Sequence, residues 1–252
     1  MVSLVECFWS LQGEGPWVGV PTLFIRTAGC PLRCTYCDTV ESYEAKGEFE
    51  VRDLHGRRIA ELQNPVDSQE ILAAEWCQPR GTGSWLSVTG GEPLLWPGFC
   101  REIFDGARHL GFRTLLETAA LDPAALEEVL PRADHLSLDY KLPSTLKGGL
   151  QARERHAKAH LQCLELAVKA AAESSLKIVL TPGVGRAEFT QALEQLRPFR
   201  AGMSLVLQPV TPCLDESGSL DPESLLQMTE IAMDMDFSIR VLPQVHKSLG
   251  LA

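Results

Sequence analysis

The chain is 252 residues long, the size of one α/β barrel or one large α/β domain, and 45% of it is hydrophobic, enough for a substantial core. A formal net charge of −10 argues against a nucleic-acid groove as the main binding surface. No run of about eighteen apolar residues occurs, so no membrane helix is expected, and Met1-Val2-Ser3-Leu4-Val5-Glu6 lacks the basic-then-apolar pattern of a signal peptide.

Residues 2–9 read as a short strand, followed by a Gly- and Pro-marked loop, Ser10-Leu11-Gln12-Gly13-Glu14-Gly15-Pro16. That loop is either a plain turn or a backbone platform carrying a carboxylate at Glu14. Residues 21–27 form a buried-looking strand, and Arg26 near its end calls for an ion-pair partner or an anionic ligand. Residues 41–66 are the least organised stretch. Their alternation around His55-Gly56 suggests an excursion hairpin that covers the site or an edge, standing in for a shortened helical layer, with His55 a turn residue. Asp67-Ser68-Gln69-Glu70 has the pattern of a capping box opening a helix over 68–78.

From there strands and helices alternate. Strands are expected at 85–89, 113–117, 134–139, 175–180, 203–208 and 237–242, and helices at 98–110, 123–130, 151–173, 187–196 and 222–234. Such alternation implies parallel strands with helical crossovers. About seven strands suit a partial (β/α) barrel better than a closed eightfold one. A single domain, 1–252, with 41–66 as an insertion is expected. Thr89, Glu117, Asp139, Lys141 and Gln208 all fall at or just past a strand's C-terminal end, the edge that carries active sites in such folds. Each alone is as readily a surface residue. Gly90-Gly91-Glu92-Pro93 is either a tight strand-to-helix turn or a place where backbone approaches a ligand.

The chain's eight cysteines, without an export signal, point to a reducing compartment and a soluble, cytoplasmic protein. Cys30, Cys34 and Cys37 stand at C-x3-C-x2-C spacing with no fourth cysteine close behind. A closed zinc site or an ordinary electron-transfer [4Fe–4S] cluster uses four ligands. Three thiolates on a four-iron cluster leave one iron open to bind and activate a small molecule. The competing readings are packing cysteines, or a four-ligand site completed by His55, Cys7 or Cys77. Cys100, Cys163 and Cys213 read as core or incidental residues.

The triplet, with Tyr36 before its last cysteine, resembles the signature of the radical S-adenosylmethionine (SAM) enzymes. Leu11-Gln12-Gly13-Glu14-Gly15, Cys37-Asp38-Thr39, Thr89-Gly90-Gly91-Glu92-Pro93, Glu117-Thr118 and Gln244-Val245-His246-Lys247 together resemble one family within it, the 7-carboxy-7-deazaguanine synthases. The resemblance runs nearly end to end and is sparse across 41–66 and 143–200. It implies a lyase that converts 6-carboxy-5,6,7,8-tetrahydropterin to 7-carboxy-7-deazaguanine with loss of ammonia, in queuosine biosynthesis. Hydrogen abstraction from C6 by the 5′-deoxyadenosyl radical starts a ring contraction, and Mg²⁺ assists. The implied partners are the small-molecule pterin, an electron donor such as flavodoxin or ferredoxin, and a second copy in a homodimer.

Carried over by position, the resemblance gives Cys30, Cys34 and Cys37 to the cluster and Thr39 to Mg²⁺. It gives Tyr36, Cys37, Asp38, Gly91, Glu117, Asp139, Tyr140 and Lys141 to SAM. It gives Leu11, Gln12, Gly13, Glu14, Arg26, Thr89 and His246 to the pterin, with Ala252 through its terminal carboxylate. Arg26 suits the substrate carboxylate because its planar fork matches two oxygens. The family often continues Glu-Thr with Ser or Asn and then Gly. Glu117-Thr118-Ala119-Ala120 lacks that glycine, and Asp139-Tyr140-Lys141-Leu142-Pro143 only approximates the family's polar run, which leaves the backbone path and the SAM ribose contacts open.

Overall fold

A computed structural model describes residues 1–211 and 218–251. Cys213 and Ala252, both named from the sequence, lie outside them. The chain begins with β1 (Leu4–Leu11) and β2 (Pro21–Thr27), paired antiparallel as far as Leu11 opposite Pro21. That pairing extends the first strand two residues past the sequence expectation, so the loop begins at Gln12. A hairpin follows, β3 (Glu48–Arg52) and β4 (Arg58–Gln63), then α1 (Ser68–Ala73) and β5 (Trp85–Gly90). The remainder is α2 (Pro97–Leu110), β6 (Arg113–Thr118), α3 (Pro123–Val129), β7 (His135–Tyr140), α4 (Leu150–Lys169), β8 (Ser174–Leu180), α5 (Arg186–Leu196), β9 (Ser204–Pro209), α6 (Pro222–Asp234), β10 (Ile239–Val241) and α7 (Val245–Ser248).

Local chemistry explains the starts and stops. Asp122 and Asp221 cap α3 and α6, each followed by a proline at the first helical position. Asp67 accepts from the Gln69 amide at the start of α1. That helix stops at Ala73 rather than 78, because Ala74 turns to an extended conformation and returns its N–H to Ile71. The long helix α4 also ends early, at Lys169 rather than 173.

Among the described residues ten strands make one sheet, in the order β10-β9-β8-β7-β6-β5-β2-β1-β3-β4. Seven of them, β2 and β5 through β10, run parallel, which is the expected unclosed barrel. Strand alternation sorts the two faces. Leu116, Leu136, Leu138, Leu176, Ile178, Leu205 and Leu207 belong to the apolar core shared with the helices. Glu117, Ser137, Asp139, Lys177 and Gln208 line the opposite, concave face.

The hairpin expectation for 41–66 holds, but its place corrects the idea of a substitute helical layer. β3 pairs parallel to β1, burying Phe49 and Val51, so the hairpin lengthens the sheet at the edge beyond β1. The Asp53 carboxylate closes the hairpin by accepting from the His55 and Arg57 amides, and His55 is an exposed turn residue. Only Ser42 and Tyr43 of this stretch reach the concave cavity.

Candidate active site

The cysteine loop leaves the end of β2 and is tied down on three sides. Gly29 N–H donates to Ser42 O at 2.7 Å, and Trp96 Nε1 donates to Ala28 O at 2.9 Å. Thr35 N–H donates to Thr145 O and Lys147 N–H to Arg33 O, each at 2.8 Å, clamping the loop to the segment after β7. Arg33 donates to Cys30 O at 2.6 Å and lies over the Tyr43 ring at 4.1 Å. Cys30, Cys34 and Cys37 are free, half-buried and line one cavity. Burial pushes the Cys30 thiol up to about 11 and raises Cys34 as well, so metal binding there would release protons.

The turn after β5 passes directly against this loop. A Cβ at Gly91 would overlap the Gly29 carbonyl, and Gly90 has φ +140°, a conformation only glycine takes easily. Glu92, fully buried, accepts from Leu94 N–H (3.0 Å), Ala119 N–H (2.9 Å) and the Thr118 hydroxyl, joining the β5 turn to the β6 turn.

Across the cavity the strand ends carry a chain of charges. Lys177 pairs with Glu14 and, at 3.0 Å, with Asp139, whose carboxylate also takes Lys141 at 2.7 Å. Gln244 Nε2 donates to Glu14 (2.7 Å) and Asp38 (2.9 Å), and Lys247 pairs with Asp38 at 2.8 Å. Burial opposes charge on every carboxylate here. The Lys177 ammonium and Gln244 nonetheless hold Glu14 below its usual range, Lys141 and Lys177 do the same for Asp139, and Lys247 with Gln244 brings Asp38 to about 2. Among the described residues no cation is bonded to Glu117. Burial and the nearby Glu14 raise its pKa, while Ser87 and Gln12 donate to it at 2.7 and 3.0 Å. Asp139 Oδ1, Gln208 Oε1 and Tyr36 OH are buried without a hydrogen-bond partner among the described residues, polar atoms open to a ligand.

The loop after β1 is both turn and platform. Gln12 N–H donates to Val20 O at 2.8 Å and closes it, while the Gln12 side chain reaches Glu117 and accepts from the Glu14 amide. The C-terminal segment packs on it: Val245 N–H donates to Gly13 O at 2.9 Å, and a Cβ at Gly13 would overlap the His246 ring. Arg26 pairs with Glu6 through Nε at 2.9 Å and lines the same cavity.

Residues 24–196 match the model of the radical SAM superfamily. The chain is 35% identical to the 7-carboxy-7-deazaguanine synthase of Methanopyrus kandleri, over 98% of this chain and 92% of that one. It is 34% identical to the same-named protein of Geobacter sulfurreducens, over 98% and 97%. The chain belongs to the 7-carboxy-7-deazaguanine synthase family. It is a radical SAM enzyme, and its class uses a [4Fe–4S] cluster and SAM. The crystal structure of QueE from Escherichia coli shares the fold at TM-score 0.56 and 22% identity, covering 97% of this chain and 94% of that one.

The cysteine set fits a cluster with one open iron in a 7-carboxy-7-deazaguanine synthase. Three free thiols share the cavity, and the candidate fourth ligands do not reach it. Cys7 and Cys77 are fully buried in the core, and His55 turns the distant hairpin. Cys100 and Cys163 are core residues whose thiols donate to the carbonyls of Pro93 and Ala120.

Leu11, Gln12, Gly13, Glu14, Arg26, Tyr36, Cys37, Asp38, Thr39, Thr89, Gly91, Glu117, Asp139, Lys141 and His246 all line the cavity. Tyr140 does not, which corrects its assignment to SAM: it falls on the other face of β7, packs on His156 and His160, and reaches Gln195 at 3.5 Å. The backbone at 117–120 is settled too. Ala120 adopts φ +55°, a left-handed turn made here by an alanine. Sequence reasoning missed Lys177 and gave Gln244 no role. A lysine between Leu176 and Ile178 in an otherwise apolar strand was the available signal, since a buried ammonium needs carboxylate partners.

Proposed function

We propose that this enzyme converts 6-carboxy-5,6,7,8-tetrahydropterin to 7-carboxy-7-deazaguanine with release of ammonia, in 7-deazapurine (queuosine) biosynthesis. One observation carries the reading: on a chain that aligns almost end to end with named synthases, a single cavity joins the cysteine triplet to the Gln12–Glu14, Arg26 and His246 set.

Cys30, Cys34 and Cys37 hold the cluster, and Tyr36–Asp38, Gly91, Glu117, Asp139 and Lys141 receive SAM. Together, cluster and SAM when bound supply a carbon-centred radical able to abstract hydrogen from C6 of the pterin. The protein's own work is binding, orientation and exclusion of water. Glu6 engages Arg26 through Nε, and the terminal amino groups of the fork take the substrate carboxylate. Gln12, Gly13, Glu14, Thr89 and His246 hold the pterin edge, with Glu14 kept ionised by Lys177 and His246 kept neutral by burial. The Thr39 hydroxyl lines the cavity and would offer one ligand to Mg²⁺, which would need further oxygens from substrate and water. We place the enzyme in the cytoplasm as a homodimer, reduced by a flavodoxin or ferredoxin.

The test is anaerobic reconstitution with iron and sulfide, followed by reductant, SAM, Mg²⁺ and the pterin, with product read by mass. 7-Carboxy-7-deazaguanine without stoichiometric 5′-deoxyadenosine is the expected result. Deoxyadenosine without that product would remove the pterin assignment and keep the radical SAM class.

A further inference from the structure

Two histidines on α4, His156 and His160, lie behind the cavity in the helix layer and have no part in the site described so far. They are one helical turn apart and buried, at 4% and 0% exposure, with ring centroids 5.8 Å apart. Tyr140 meets His160 edge-on at 5.1 Å. Each histidine holds a different strand-end loop. His160 Nδ1 donates to the Ala119 carbonyl at 3.0 Å, and His156 Nε2 accepts the Lys141 amide at 3.3 Å. These partners fix the tautomers, Nδ1–H on both rings. Burial lowers both pKa values, to about 3 for His156 and about 4 for His160, so both rings stay neutral, which the bond accepted by His156 Nε2 requires.

The loop after β6 needs such a hold. Ala120 sits at φ +55°, a left-handed conformation that a Cβ disfavours. The turn is bound from every side: the Ala120 amide donates to Thr118 Oγ1 at 2.9 Å, the Ala119 amide to Glu92 at 2.9 Å, and the Cys163 thiol to the Ala120 carbonyl at 3.5 Å. Ala119 and Lys141 both line the cavity.

We propose that His156 and His160 are positioning residues for SAM. Through the Lys141 amide and the Ala119 carbonyl they register the β6 and β7 loops against α4. His160 keeps the left-handed turn at Ala120 in place of the freedom a glycine would supply. The inference rests on the reading that the Glu117–Ala119 and Asp139–Lys141 loops receive SAM.

The test compares SAM and pterin affinities of reconstituted wild type, His160→Leu, Ala120→Gly and the double variant. His160→Leu is expected to raise the SAM dissociation constant about tenfold, equivalent to about 1.4 kcal/mol, with less than about threefold change for the pterin. Ala120→Gly adopts the turn without strain and is expected to restore most of that loss in the double variant. Unchanged SAM affinity in His160→Leu, or a double variant no better than the single one, would overturn the proposal. Amide exchange on the wild-type protein tests the His156 half of the clamp without any variant. The Lys141 amide, which His156 accepts, should be protected like the interior of β7, and loop-like exchange there would count against the clamp. If wild type bound no SAM at all, the functional reading would fall, and the exchange result would still judge the clamp.

Discussion

Arg26 shows how one residue divides its work. Its Nε is paired to Glu6, which also holds Arg52 at 2.9 Å, and its guanidinium borders the cavity. Removing it leaves Glu6 with a partner, so Arg26→Ala is expected to fold. Loss of a charge-assisted pair of bonds to a carboxylate costs roughly 1.5–3 kcal/mol, about ten- to a hundredfold in pterin affinity. SAM affinity should change by less than about twofold. Equal losses for both ligands in equilibrium binding would contradict the carboxylate role. Lys177 is the converse case at this scale, a residue whose surroundings name its task. Desolvation works against its charge, and Asp139 and Glu14 more than restore it, so the ammonium persists as a bridge between the two ends of the cavity.

Elements carry the next level. The β3–β4 hairpin was legible as a hairpin because alternation around a His-Gly turn is a local signal. Its address was not legible, because pairing with β1 is a contact between segments more than forty residues apart, as in Cys7 opposite Val51. The address sets its role. Replacing Glu48–Gln63 by a short Gly/Ser link would expose the β1 edge and remove Phe49 and Val51 from the core, each worth roughly 1.5–3 kcal/mol. Thermal stability is expected to fall by several degrees or more, with iron content and SAM cleavage retained in the protein that still folds. Loss of iron at unchanged stability would instead assign the hairpin a shielding role. The C-terminal segment is another long-range element: Gln244 and Lys247 reach Asp38 in the cysteine loop, a meeting no local pattern announces.

For the whole molecule, burial of imidazoles links stability to pH. Burial holds His156 near 3 and His160 near 4 in the folded protein, against about 6.5 for a histidine in water. Below pH 6.5 the unfolded chain gains protons that the native rings refuse. Their contribution is therefore complete above that pH and is lost as pH falls toward 4, at up to about 1.4 kcal/mol per pH unit for each ring. Glu92 and Glu117, raised by burial, act in the opposite sense above the ordinary carboxylate range. Comparing variants separates the two. The Tm gap between wild type and His160→Leu should narrow as pH drops from 7 to 5, and a gap independent of pH would show that His160 is not buried neutral.

The sequence by itself determined the class of chemistry and the order of the elements. Both are written in short-range patterns: cysteine spacing decides how many thiolates one loop can offer, and strand–helix alternation decides that a parallel sheet forms. It also marked the strand ends where Glu117, Asp139 and Gln208 gather. Only the tertiary structure decided which neighbours those residues meet. A one-residue step along β7 puts Asp139 in the cavity and Tyr140 against α4, and sheet register, not composition, sets Asp139 beside Lys177. The left-handed turn at Ala120 was likewise beyond local reading. Alanine alone disfavours it, and the bonds from Thr118, Glu92, His160 and Cys163 that hold it come together only when the β5, β6 and α4 segments pack.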